Sequence, residues 1–153
     1  MNIAIVGGRD FSDYTLLKES LLAYIDTHET PENIVSGGAK GADTLAAQFA
    51  TEIGIPLLVF KPDYQKYGRG ATLVRNTQII ENADVVFAFW DGQSKGTKDS
   101  ITKAKKLQKE LHIISYGDIC FINLYPNGIL ELQKKLHSPK NSKNTGEAEN
   151  LSE

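Results

Sequence analysis

Cysteine, methionine and tryptophan each occur once in this chain and histidine only three times, so several chemistries lack the residues they need. The lone Cys120 closes no intrachain disulfide and, flanked by Ile119 and Phe121, reads as a buried strand residue. His28, His112 and His137 stand far apart without H-E-x-x-H spacing, so no metal is expected. A G-x-S-x-G nucleophile elbow is absent too. No apolar run reaches membrane-spanning length, and the opening MNIAIVGGRD lacks the basic-then-apolar order of a secretory leader. A soluble, cytoplasmic protein with no membrane partner is expected. There is no basic excess either: 17 Lys and Arg face 19 Asp and Glu, for a formal net charge of -2. Nucleic acid is therefore expected to be an unlikely partner, because duplex binders carry a clearly basic face. Lys95, Lys98, Lys103, Lys105, Lys106 and Lys109 cluster around one helix, and such a run is usually a solvated face.

What is present is alternation. Short β-rich runs recur at IAIV (3–6), NIVS (33–36), PLLVF (56–60), DVVFAF (84–89) and HIIS (112–115). Helical periodicity separates them: Leu17, Leu21 and Ile25; an alanine-rich stretch after Gly41; Leu73 to Ile80; and Ile101, Ala104, Leu107 and Leu111. Parallel strands need crossovers, and helices supply them. The expected fold is α/β, a single domain with a mostly parallel sheet of five or more strands and helices on both faces. Ser12 is a candidate N-cap for the first helix and Thr97 for the fourth, while Gly54-Ile55-Pro56 ends the second. Residues 119–125 read as a further strand and 128–137 as a last helix, which closes a domain over 1–137. From Ser138 to Glu153 the chain holds too little apolar surface to offset its ordering entropy and reads as a disordered polar tail.

In open parallel sheets, ligands settle outside the carboxyl ends of the strands, where the strand order reverses. The strands here run into Gly7-Gly8-Arg9-Asp10-Phe11, Ser36-Gly37-Gly38-Ala39-Lys40-Gly41-Ala42-Asp43, Lys61-Pro62-Asp63-Tyr64, and Trp90-Asp91-Gly92-Gln93-Ser94-Lys95-Gly96-Thr97. Glycine lets backbone amides at a helix N-terminus approach a phosphate, and two such loops on one edge favour that role over simple tight turning. Neither loop has the dinucleotide or P-loop spacing. Arg9 can fork onto a phosphate or pair with Asp10 or Asp13. Asp43 fits dipole complementation better than catalysis. Trp90 can stack on a base or belong to the core. On this reading Gly38→Val blocks a ligand and leaves the fold intact.

GGRDFSD (7–13), VSGGAKGADTLAAQFA (35–50) and VRNTQIIENADVVFAFWDGQSKGT (74–97), followed by SITKAKK, together resemble the SLOG superfamily and within it the YspA/YpsA-related branch. That superfamily includes the DNA-processing Smf/DprA proteins and the LOG cytokinin-activating phosphoribohydrolases. The resemblance covers roughly residues 1–115 and implies a Rossmann-like, commonly dimeric protein, hence a homodimer or higher homo-oligomer, that binds a nucleotide or nucleotide-derived ligand. The LOG enzymes pair an arginine with a glutamate. Arg75 matches the arginine, Asn76 stands where lysine is usual, and Ser100 falls at the glutamate. Serine neither stabilises an oxocarbenium-like sugar nor activates water well, which argues against catalysis.

The expected function is thus binding of a nucleotide derivative, ADP-ribose-type ligands included. The protein would act as a sensor or sequestering module, in a phage or bacterial-defence setting, with no required cofactor. The expected ligand residues are Gly7, Gly8, Arg9, Asp10, Phe11, Ser36, Gly37, Gly38, Ala39, Gly41, Ala42, Asp43, Lys61, Arg75, Asn76, Trp90, Asp91, Gly92, Ser94, Gly96 and Thr97. One alternative is an N-glycosidase using Arg75 with Asp91 or Asp99, although Asp99 lies about 100° around the helix from the needed position. The other is a DNA-processing accessory of the Smf/DprA kind.

Overall fold

The computed structural model describes residues 1–117. Strands β1 (Asn2–Gly7), β2 (Asn33–Ser36), β3 (Leu57–Val59), β4 (Val85–Trp90) and β5 (Glu110–Ser115) form one sheet in the order β3-β2-β1-β4-β5. Every pairing is parallel. Helices α1 (Tyr14–Thr27), α2 (Ala42–Ile53), α3 (Tyr64–Tyr67), α4 (Ala71–Glu81) and α5 (Lys95–Lys106) lie between the strands, with a 3-10 turn at Gly68–Gly70. The strand and helix expected at 119–125 and 128–137, the tail from 138, Cys120 and His137 all fall outside the described residues.

Alternation along the strands builds two cores. Ile3 and Ile5 of β1, Ile34 of β2, and Val85, Phe87 and Phe89 of β4 point to one face, where Leu17 and Leu21 of α1 and Ala46 and Phe49 of α2 cover them. Ala4 and Val6, Val35, Val86 and Ala88 point to the other, under Ile79 and Ile80 of α4 and Ile101 and Ala104 of α5. Because both faces are covered, the central strands carry continuous apolar runs and not a polar-apolar alternation.

Several boundaries differ from the sequence reading by a residue or a turn. Asp13, not Ser12, caps α1, since its Oδ1 accepts from the Leu16 amide three residues on at 3.0 Å. Ser94, not Thr97, caps α5, because the helix begins a turn earlier, at Lys95. The fourth helical pattern ends sooner than expected: Leu107 is an exposed C-cap residue and Leu111 belongs to β5. A 3.6-residue period continued by chance into the next strand. Gly54 does end α2, in the left-handed conformation, with Ile55 buried behind it.

The strand order fixes where a ligand can sit. The chain winds outward from β1 through β2 to β3, then returns to pair β4 on the other side of β1. Beyond Gly7 and Trp90 the two connections leave in opposite senses and open a crevice.

Candidate functional site

A cavity of about 550 Å³ opens in that crevice. The ends of β1 and β4 supply Val6, Gly7, Gly8, Arg9, Asp10 and Asp91; α2 and its approach supply Ala39 and Asp43. Helix α4 adds Thr72, Leu73, Arg75, Asn76 and Ile79, and the start of α5 adds Ser94, Lys95, Gly96, Thr97 and Ser100. First turns of α2, α4 and α5 therefore converge on one space. Glycine stands at the N-caps of α2 (Gly41) and α4 (Gly70), and neither position has a side-chain cap. The first amides of a helix have no intrahelical partner, and the helix dipole makes that end electropositive.

Arg75 is the central cation. It is 8% exposed, donates from Nη1 to the Gly37 carbonyl at 2.8 Å and from Nε to Asn76 Oδ1 at 3.1 Å. Its Nη2 donates to no group among the described residues. A buried guanidinium with donors unspent, held rigidly on a helix, suits a planar or tetrahedral oxyanion. Arg9 is exposed at the rim of the cavity.

Three carboxylates share the lining, each partly committed. Asp43 Oδ2 accepts from the Ala39 amide at 3.0 Å. Burial pushes its pKa up, while the Ala39 amide, the Arg75 charge, the Ser36 hydroxyl and the Gly37 amide pull it back. Ser36 itself is fully buried and its hydroxyl makes no hydrogen bond of ordinary geometry. Asp91 Oδ1 accepts from the Gln93 and Ser94 amides at 2.8 Å each, which shapes the turn before α5. Asp10 Oδ1 accepts from the Tyr116 hydroxyl at 2.7 Å. Burial first, then Asp10 and Asp91, push the Tyr116 phenol above its ordinary range. Three cations, Arg9, Arg75 and Lys95, thus meet three carboxylates, Asp10, Asp43 and Asp91, and the lining is formally balanced.

Of the residues expected at the site, Gly7, Gly8, Arg9, Asp10, Ala39, Asp43, Arg75, Asn76, Asp91, Ser94, Gly96 and Thr97 meet at this cavity. Phe11, Ser36, Gly37, Gly38, Gly41, Ala42, Lys61, Trp90 and Gly92 do not line it. Phe11 stacks between Phe89 and Tyr116 in the core. Trp90 packs against the second core and donates from Nε1 to the Ser94 carbonyl at 3.1 Å. The glycines of the second loop make room for the chain itself. A Cβ on Gly41 would strike the Gly8 and Arg9 backbone, and one on Gly37 would lie 2.9 Å from Arg75 Cζ. At Gly38, φ is +69° and a Cβ would lie 2.8 Å from Val59 Cγ1. Gly38→Val therefore strains the fold and is not the clean ligand block the sequence suggests. Gly96 differs: no atom lies within 4 Å of where its Cβ would be.

Sequence reading missed Val6, Thr72, Leu73, Ile79 and Lys95 as lining residues. A helical signal was available for two of them. Thr72 and Ile79 stand three before and four after Arg75, on its face of α4. Ser100, flagged only for lacking a carboxylate, is 2% exposed and lines the cavity, whereas Asp99 does not. Asp99 Oδ2 instead accepts from Asn76 Nδ2 at 3.0 Å and pairs with Lys103 at 2.7 Å.

Fold and cavity define an all-parallel α/β protein with a polar-lined cavity at its topological switch point. Residues 1–67 match the model of YAcAr, the YspA, cpYpsA-related SLOG family, so the SLOG likeness holds over that stretch. Gene 61 protein of Mycobacterium phage D29 is 29% identical over 124 residues, which is 76% of this chain and 96% of that protein. Among solved structures, DNA processing protein A from Helicobacter pylori shares the fold with a TM-score of 0.59 at 24% identity, over 76% of this chain and 66% of that one. That protein has a single-stranded DNA binding mode, so the expectation that nucleic acid is an unlikely partner is overturned. The physical fault lay in using a whole-chain charge of -2. A sum over 153 residues says nothing of which charges one crevice collects. No helix among the described residues is long and apolar enough to cross a membrane.

Proposed function

We propose that this protein is a DNA-processing accessory that binds single-stranded DNA, holding one nucleotide of the strand in the switch-point cavity. The carrying observation is the convergence of three helix first turns around a buried Arg75 with an unspent Nη2. A phosphodiester takes Arg75 and the Lys95 and Gly96 amides at the start of α5, which the Ser94 cap on the Thr97 amide does not use, and Lys95 and Arg9 neutralise charge at the rim. The carboxylates can accept from base amino groups, which a bare phosphate site would not need. The structural likeness to a single-strand binder and the SLOG match support this reading.

A free nucleotide derivative is the second reading, favoured by one observation: the balanced lining and a volume of about 550 Å³ suit a single nucleotide unit with its sugar hydroxyls. An N-glycosidase is not proposed. Ser100 occupies the position that would need a carboxylate, Asp91 is committed to turn amides, and Asp99 lies off the cavity.

The test is fluorescence anisotropy with a labelled twelve-nucleotide thymidine strand, titrated at several salt concentrations, with AMP, ADP-ribose and a hairpin duplex as competitors. Salt-sensitive binding that the duplex does not displace supports the single-strand reading. Binding of ADP-ribose or AMP alone, with no strand binding at low salt, overturns it in favour of the second.

A further inference from the structure

Between β3 and α4 runs a short exposed segment that the cavity does not use. Within Lys61–Arg69 stand three cations, Lys61, Lys66 and Arg69, and two tyrosines, Tyr64 and Tyr67. Tyr64 is 59% exposed and Tyr67 38%. A buried tyrosine removes roughly 150–250 Å² from water, so leaving two uncovered one helical turn apart forgoes a large stabilisation. The segment is nevertheless built and not slack. Asp63 Oδ1 accepts from the Lys66 amide at 3.0 Å, and the Tyr67 amide donates to the Asp63 carbonyl at 3.0 Å. That cap occupies Asp63, the one carboxylate in the stretch, and leaves the cations in excess. Lys66 Nζ stands 5.1 Å from the Tyr67 ring centroid and holds one of its faces.

The segment is continuous with the cavity. Helix α3 packs on α4, and the first turn of α4 contributes Thr72 and Leu73 to the lining. Leu73, one of those lining residues, is itself an exposed apolar residue.

We propose that Tyr64 and Tyr67 form a stacking platform for bases of the same single strand whose neighbouring nucleotide occupies the cavity, with Lys61, Lys66 and Arg69 tracking its phosphates. This rests on the single-strand reading above. Aromatic faces accept any base, and cations between them follow the backbone, so the platform lengthens the footprint without adding sequence preference.

Anisotropy with thymidine strands of two and twelve nucleotides tests it. In the parent, affinity rises with length. In Tyr64→Ala/Tyr67→Ala the twelve-nucleotide strand binds about tenfold or more weakly, the dinucleotide is little changed, and the length dependence is lost. Tyr64→Phe/Tyr67→Phe restores parent-like binding, since stacking needs the ring and not the hydroxyl. Circular dichroism melts confirm that each variant folds. If the double alanine variant binds the long strand as the parent does, while Arg75→Gln loses both strands, the platform is refuted and the cavity reading stands. If the parent binds neither strand, both readings fall together.

Discussion

Gly7 and Gly96 both line the cavity, yet alanine at each should move stability in opposite directions. At Gly96 no heavy atom lies within 4 Å of the added Cβ, and the residue is not among those with positive φ. Removing backbone freedom from the unfolded chain should then stabilise by up to about 1 kcal/mol, with the lower half of that range fitting a first-turn position. For a domain of this size the melting temperature should rise by up to about 2 °C. At Gly7 the Cβ would sit 2.7 Å from both the Ala42 Cβ and the Phe89 carbonyl oxygen. Neither can move without parting α2 or β4 from β1, so overpacking of about 1–3 kcal/mol is expected, a fall of roughly 4–12 °C. Thermal melts by circular dichroism read both signs. A third variant, Gly96→Leu, should fold normally and bind the twelve-nucleotide strand about tenfold or more weakly, the loss of one charge-assisted contact. Should Gly96→Ala fall in melting temperature as far as Gly7→Ala, the argument from free space is wrong. Should Gly96→Leu bind as the parent, the ligand does not use this wall.

Arg75→Gln should destabilise by about 2–4 kcal/mol in urea unfolding, since it strips the Gly37 carbonyl of its donor and leaves Asp43 uncompensated; parent-like stability would show the guanidinium is idle in the fold. Asp43 has a raised folded pKa, so the folded state holds its proton more tightly than the unfolded chain does. That stability is fully present below the ordinary carboxylate range and lost as pH rises through the raised value. Relative to Asp43→Asn, the parent should therefore lose stability as pH increases from about 4, and a pH-independent difference would refute this. Burial, then Glu110, pushes the Tyr24 phenol up to about 12. Ultraviolet titration should show one fewer phenolate transition near that value in Tyr24→Phe, and a loss at the ordinary tyrosine pKa instead would contradict the packing. Lys61→Gln/Lys66→Gln/Arg69→Gln should lower the slope of log affinity against log salt by about 2 for single strands; an unchanged slope would remove these cations from the interface.

The layered architecture was legible because burial on both faces writes itself as apolar runs. β2 was read to the residue, and the order of strands and helices followed from their alternation alone. Caps were less legible, since Ser12 and Asp13 are both good cap residues and only geometry selects the one whose oxygen reaches the Leu16 amide. Short α3 was missed for a related reason. Four residues carry too little periodicity to register, and its tyrosines face water and not a core.

The glycines show why the site was only half legible. A missing side chain makes room, but the sequence does not say for what: Gly41 makes room for the neighbouring Gly8 loop, Gly37 for Arg75, and Gly96 for nothing in the chain. Of these three, Gly96 alone has open space where a side chain would stand. Arg75 shows the converse. The family resemblance singled it out, but nothing in its own helix says that it is buried; its position beside Gly37 does that and makes it the fixed cation of the crevice. The same placement defeats the net-charge argument against nucleic acid. What a strand would meet is not a total of -2 but a cavity where Arg9, Arg75 and Lys95 offset Asp10, Asp43 and Asp91, and beside it Lys61, Lys66 and Arg69 against the single Asp63. Because screening confines each charge to within about 10 Å at ordinary salt, acidic residues elsewhere on the chain subtract little from that local field.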